Sequence, residues 1–264
     1  MTLVLVSVLF YLLATGLLVN GMHSDRRTAR HWAWAAVVAV LAHVLVHAVS
    51  WRADGGADMH FYAALSLVGL GMALLTTLVG LGGRMAALGV VVYPLASTML
   101  LLFAAQGHGT SAAEALDWRL QLHAWLALLA YATLAVAALL AIMLWLQERA
   151  LRRREFHRWL RALPPLVELE TLLFRTISTG FVLLTATLLT GILFVDNLLA
   201  QHLVHKTVLS VLSWLTFGAL LIGRWRYGWR GSTAVRWTLV AMVLLVLAFF
   251  GSKFVLELVL RRGV

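Results

Sequence analysis

The sequence predicts an all-α polytopic integral membrane protein, a bundle of about eight transmembrane helices with both termini outside. Three observations predict it. The 264 residues are 62% hydrophobic and only 12% charged. The apolar residues come in blocks of about 18 or more, the length that crosses a bilayer as a helix. The arginines gather in alternate loops between these blocks, the pattern by which short loops set orientation. The strict apolar–polar alternation of a membrane β-barrel is absent.

The expected spans are 2–21, 32–50, 61–80, 86–105, 122–146, 171–195, 207–223 and 236–259. The first opens without a basic run and lacks a small-residue cleavage site, so it is expected to be a retained span and not a signal peptide. The second carries His43 and His47, and the third begins just after His60. The fourth is bounded by Arg84 and by the polar loop around His108. The fifth begins at His123. The sixth holds Thr176, Ser178, Thr179, Thr185, Thr187 and Thr190, a pattern that serves helix–helix packing more often than a transport path. His202 and His205 precede the seventh, and the eighth ends near Lys253 and Glu257. Low proline content and the lack of any soluble segment make residues 1–264 one transmembrane domain.

Charge orients the bundle. Arg26, Arg27 and Arg30, then Arg84, then the six arginines between Arg149 and Arg161, then Arg224, Arg226 and Arg230 follow spans 1, 3, 5 and 7. Those loops are expected on the cytoplasmic side. The opposite loops carry Asp54, Asp58, Glu114, Asp117 and Asp196. Arg261 and Arg262 run against the pattern, but late charges count for less. The formal net charge of +10 therefore reads as topology and lipid contact, and no nucleic-acid partner is expected. Residues 148–170 form the longest inner loop. Its first half, ERALRRREFHRWLRAL, predicts an interfacial helix on anionic lipid, ended by Pro164 and Pro165. There are no cysteines, so thiolate ligands and disulfides are excluded.

Seven of the ten histidines then fall toward the outer face: His43, His47, His60, His108, His123, His202 and His205. Histidine is costly in hydrocarbon and rare there without a task. A group at one depth points to a metal or haem site. Two imidazoles on different helices are needed to grip one iron from opposite sides. His47 and His123 are the best pair, as iron ligands, and His205 is the third candidate. His43 shares a helix face with His47 at i, i+4, so the two cannot readily take opposite sides of one iron. His43 is expected to orient the site or to contact a propionate. Lys253 is expected to reach a ligand carboxylate or to pair with Glu257. Trp51, Trp118, Trp125 and Trp214 fit an aromatic belt, or the walls around a flat macrocycle. Arg175 snorkels inward. No nucleophile elbow, P-loop or HExxH appears, and no enzymatic activity is expected.

Three stretches carry a resemblance. They are LETLLFRTISTGFVLLTATLLTGILF (169–194), KTVLSVLSWLTFGALLIGRWRYGWRG (206–231) and the histidine-led LHAWLALLAYATLAVAALLAIMLWL (122–146). Together they resemble the transmembrane cytochrome c assembly family of haem-handling proteins, the CcsA, CcmC and HemX-like proteins. The closing FFGSKFVLELVL (249–260) is similar to the short YpjD-type branch. The resemblance implies a bacterial inner-membrane protein that presents haem b near the outer face. It implies cytochrome c maturation proteins or apocytochrome c as partners, beside membrane lipid. It places His123 at an outer haem-ligand position and matches His47 to a second-span histidine of the YpjD-type members. The full haem-delivery members carry a tryptophan-rich outer loop, whereas the loop here is DNLLAQHLVH (196–205). Two other readings stand beside this one. One is a transporter or regulatory subunit whose outer histidines bind metal or protons. The other is a b-type electron carrier, which calls for inner-side histidines that the spans lack.

Overall fold

The computed structural model describes residues 1–23, 31–54, 56, 60–81, 86–106, 117–154, 164–194 and 201–251. The described residues form eight helices long and apolar enough to cross a membrane, with no strand. These are α1 (Thr2–His23), α2 (His31–Asp54), α3 (Phe61–Leu81), α4 (Gly89–Gln106), α5 (Trp118–Arg152), α6 (Leu166–Phe194), α7 (Gln201–Tyr227) and α8 (Gly231–Val246). A 3₁₀ turn, Ala86–Leu88, leads into α4, and a π-helical turn, Leu247–Gly251, extends α8. The expected all-α membrane architecture is what the chain adopts.

The ends depart from the hydropathy pattern in one systematic way. α5 is 35 residues long and α6 is 29, so both outrun their apolar blocks. Glu148–Arg152 continues α5 and does not open a separate interfacial helix. Nothing in ERALR breaks a helix, since all five are good helix formers. The expected helix over the rest of that loop lies in residues 155–163, outside the described residues. α6 starts directly after Pro164 and Pro165, where proline serves a helix start.

The helices pack as two compact units, α1–α4 and α5–α8. Within the first, α1 packs on α2 and α4, and α3 packs on α4 and α2. Within the second, α5 packs on α6 and α8, and α7 packs on α6 and α8. Each unit is therefore a closed ring of four sequential helices, the arrangement that short connections favour. Lipid tails are as apolar as leucine, so small residues and close backbone approach hold such rings together. Ala33, Ala35, Ala36, Ala39 and Ala42 of α2 are buried, as are Ala130, Ala132, Ala137, Ala138 and Ala141 of α5. Large residues such as Leu9, Leu12, Val182 and Ile192 are exposed, where acyl chains cover them. The most extensive pairing is α5 with α6. A Cβ on Gly180 would lie 2.5 Å from Leu134 Cδ2 and 2.7 Å from its Cγ, so only glycine lets these helices meet this closely.

At one end of the second unit, the buried Glu170 carboxylate of α6 ties three helices. Arg224 Nη1 of α7 donates to Glu170 Oε1 at 2.7 Å, and Arg230 Nε, leading into α8, donates to the same oxygen at 3.0 Å. The hydrogen bond and the charge of Glu170 raise the Arg230 pKa further above its ordinary value. Arg224 also lies 4.6 Å from the Phe174 ring centroid and donates to the Trp229 carbonyl. The chain turns here through Gly228 and Gly231, both at positive φ.

Gly180→Val is expected to destabilise the folded state by about 1–3 kcal/mol through overpacking against Leu134. Gly16→Ala, with no atom within 4 Å of the new Cβ, is expected to leave stability unchanged or slightly raised. Unfolding of the purified protein in mixed detergent would compare the two variants.

Candidate functional site

In the first unit, the spacing of His43 and His47 puts both rings on the inner face of α2. They are 0% and 1% exposed, and their rings stack with centroids 5.5 Å apart. Both Nε2 atoms converge on one hydroxyl, Ser66 Oγ of α3, at 2.9 Å from His43 and 3.0 Å from His47. A hydroxyl has one proton to give. Ser66 therefore donates to one imidazole and accepts from the other, and the two neutral rings must carry opposite protonation at Nε2. His43 Nδ1 is 3.3 Å from the Tyr11 hydroxyl of α1. Tyr11 stacks on Tyr93 of α4, whose hydroxyl is 3.1 Å from Thr77 Oγ1. His47 lies against Phe103 and Trp51, and half-buried His60 stacks on Phe103. Four helices thus meet at one buried polar cluster. Ser66 and Tyr11 carried no signal in the sequence beyond helical burial.

The second unit holds a cavity of about 430 Å³. It lies where α5 begins, α6 ends, α7 begins and α8 ends, which is one end of the ring. His123, Lys206, Thr207 and Ser210 supply polar atoms, and Tyr131, Leu184, Trp214, Ala248 and Phe249 are among the mainly apolar walls. Thr207, Ser210, Val211 and Trp214 follow the i, i+3, i+4, i+7 spacing of a single helix face, a legible but weak signal. Trp214 donates its indole N–H to Thr185 Oγ1 at 2.8 Å and stacks on Phe181.

His123 is fixed from α6. Thr190 Oγ1 lies 3.1 Å from His123 Nδ1 and donates its own proton to the Ala186 and Thr187 carbonyls at 2.9 and 3.0 Å. With that proton spent on the helix backbone, Thr190 receives a hydrogen bond from His123 Nδ1–H. The Nδ1–H tautomer, which leaves Nε2 unprotonated, is the one consistent with this contact, and the ring also hydrogen-bonds the Thr187 backbone. A Cβ on Gly191 would sit 3.2 Å from His123 Cε1, so glycine makes room for the ring. The other hydroxyls of α6 (Thr171, Thr176, Ser178, Thr179, Thr185, Thr187) each donate to the carbonyl four residues back. This satisfies them within their own helix.

The sequence candidates are thereby distributed. His43 and His47 belong to the first unit, and His123 and His205 to the second. His205 is exposed in the first turns of α7, one residue before Lys206. Trp118 and Trp125 are exposed, as belt residues are. Lys253, Glu257, His108 and His157 lie outside the described residues, as does the His202 side chain. Among the described residues, no three His, Asp or Glu side chains come together as a metal site.

Comparison with known proteins places the chain. Residues 31–260 match the family model described as cytochrome C assembly protein. Inner membrane protein YpjD of Escherichia coli is 32% identical over 86% of this chain and 89% of its own. An uncharacterized 28.8 kDa protein of Azospirillum brasilense is 36% identical over 53% of each chain. Protein HemX of Brevibacillus brevis is 28% identical over 49% of this chain and 48% of its own. No solved structure matches. The chain belongs to the cytochrome c assembly protein family.

Ser66→Ala is expected to strand two buried imidazole nitrogens at about 1–3 kcal/mol each. Ser97→Ala removes a hydroxyl that only donates to its own helix, at Tyr93 O, and is expected to cost far less. Thermal unfolding of the detergent-solubilised variants would separate the two. Equal midpoints would contradict the shared hydroxyl.

Proposed function

We propose that this member of the cytochrome c assembly family is a non-enzymatic haem-handling protein of the bacterial inner membrane. In this reading the cavity of the second unit takes haem b, with His123 as an iron ligand. One observation carries the proposal: His123 lines an apolar cavity with Nδ1 3.1 Å from Thr190 Oγ1, a contact that in the Nδ1–H tautomer leaves the Nε2 lone pair for an iron. Metal-ligating histidines are characteristically held this way, through the other ring nitrogen. The family membership supports haem as the cargo, and the relative named as an inner membrane protein supports the location.

The residues fit the group. The cavity volume is within the range of small-molecule sites. Trp214, Tyr131 and Phe249 offer flat apolar walls. Gly191 leaves the imidazole edge clear. Lys206, at the same end, supplies a cation for a propionate, the task that the sequence had suggested for Lys253. Within this unit His205 is the candidate for a second iron ligand, whereas the Nε2 of His47 is engaged with Ser66. When bound, haem supplies an iron centre that accepts axial ligands. The chain's own contribution is to hold Nδ1–H of His123 on Thr190, to keep water from the apolar walls and to place a cation at the rim. The arginine-rich loops orient the cavity end outward, where apocytochrome c or maturation proteins would receive the cargo.

A second reading, a transporter or regulatory subunit that uses histidines for protons, is favoured by the run Tyr11–His43–Ser66–His47. Each link in it is within hydrogen-bond distance.

The test is an absorption spectrum of the haem-supplemented, purified protein, with and without dithionite. Wild type is expected to show a sharp Soret band with resolved reduced bands. His123→Ala is expected to lose them, and Thr190→Val to weaken haem affinity about 10–100-fold through loss of its grip on Nδ1. A wild type without haem, or a spectrum indifferent to His123, would remove the proposal and favour the proton reading.

A further inference from the structure

α8 runs as an α-helix to Val246 and then as a π-helical turn, Leu247–Gly251. Leu247–Phe250 holds no proline or glycine, so the change of helix type has to come from a contact. The contact is Tyr131 of α5. Its hydroxyl donates to the Leu245 carbonyl at 2.6 Å and accepts from the Phe249 N–H. Those two backbone groups are four residues apart, the pair that bond each other in a regular α-helix. A hydroxyl bonded to both stands in that rung of the ladder, and the turn widens to hold it. The Tyr131 ring is held by the same turn, with centroids 5.8 Å from Phe249 and 5.7 Å from Phe250.

Ser213 of α7 offers the contrast. It too is buried in a span and donates to an α8 carbonyl, Ala241 O at 2.8 Å, in the regular part of that helix. A carbonyl has a second lone pair, so that bond leaves the ladder whole. Tyr131 engages a backbone donor as well as an acceptor, and α8 changes type at that level. The level matters, because Tyr131, Leu245, Ala248 and Phe249 all line the cavity that holds His123. A turn closed by i→i+5 bonds takes one residue more than an α turn. Closing it would move everything beyond by one place, about 100° around the helix axis.

We propose that Tyr131 is a positioning residue for this cavity: its hydroxyl, wedged into α8, holds the π-helical turn and so fixes Phe249 as a wall for a flat ligand. The inference rests on the haem reading for the identity of that ligand, whereas the wedge stands without it. Lacking the hydroxyl, Leu245 O and Phe249 N–H bond each other, α8 continues as an α-helix, and the Phe249 ring turns from its place. The cavity is thus shaped from α5 twice, once by His123 and once by the residue two turns further on that sets the opposite helix.

The experiment uses the full chain in neutral detergent. Tyr131→Phe removes the hydroxyl and keeps the ring. Ser213→Ala is the matched control, a buried hydroxyl on the same helix α8 but outside the cavity lining. Amide hydrogen exchange over residues 245–251, measured without haem, is expected to slow in Tyr131→Phe as i→i+4 bonds form, and to match wild type in Ser213→Ala. Haem titration at the Soret band is expected to give a dissociation constant raised about two- to tenfold in Tyr131→Phe, the worth of one net hydrogen bond. The band positions are expected to stay, because His123 is untouched, and Ser213→Ala is expected to keep the wild-type constant. Phe249→Ala, which removes the wall and leaves the wedge, is expected to weaken haem binding likewise. If wild type takes up no haem, the haem reading falls, and slowed exchange in Tyr131→Phe still supports the wedge. Exchange that is unchanged or faster overturns the proposal. So does full haem affinity in Tyr131→Phe, or an equal loss of affinity in Ser213→Ala.

Discussion

Hydrocarbon offers no water to a polar group, and that constraint organises most of the polar side chains inside the described spans. An unsatisfied hydroxyl or imidazole inside a span costs several kcal/mol. The hydroxyls of α6 meet the constraint locally, by donating to carbonyls one turn back. The histidines cannot, because an imidazole is too far from its own helix backbone. They need partners on neighbouring helices, and those partnerships set helix rotation: Ser66 of α3 turns α2, and Thr190 of α6 turns α5. Rotation in these rings is therefore a consequence of polar satisfaction as much as of packing alanines.

Fold class was readable from the sequence because the bilayer imposes a length on every span. Helix ends were less readable, since hydropathy reports where hydrocarbon stops and not where the backbone stops being helical. α5 shows the difference. Its apolar block closes near Leu146, yet Gln147–Arg152 are helix formers and the helix runs on into the polar zone. His123, His43 and His47 could be singled out because a histidine in a span is anomalous by itself. Ser66, Thr190, Gly191 and Lys206 could not, because each is ordinary in a membrane helix until its neighbour across the interface is known. A one-dimensional pattern contains the anomaly and lacks the partner.

The ends of the second unit have opposite chemistry. Sequential antiparallel helices bring the start of α5, the end of α6, the start of α7 and the end of α8 to one end, with His123 and the apolar cavity. The other end collects Glu148, Glu170, Ser232, Arg149, Arg152, Arg153, Arg224, Arg230 and Arg236. One carboxylate, Glu170, is committed to pinning three helices through Arg224 and Arg230. The same charges thus do two jobs: most bias orientation in the membrane, and a few, held against a buried carboxylate, fix the turn from α7 to α8.

The two histidine systems differ in how many partners their hydroxyl serves, and that difference separates their chemistry. Ser66 serves two rings and no backbone carbonyl, so its proton can sit toward either ring. The pair therefore has two neutral arrangements, which differ in the protonation of Nδ1 as well as Nε2 on each ring. Thr190 serves one ring and has already given its proton to the Ala186 and Thr187 carbonyls. The arrangement that agrees with those bonds has Nδ1 of His123 protonated and Nε2 unprotonated. A ring with two interchangeable tautomers suits the passage of a proton, while a ring held in one tautomer with an exposed lone pair suits an electrophile. The deciding feature is where a neighbouring hydroxyl spends its single hydrogen, and for Thr190 that is settled by the α6 backbone one turn away.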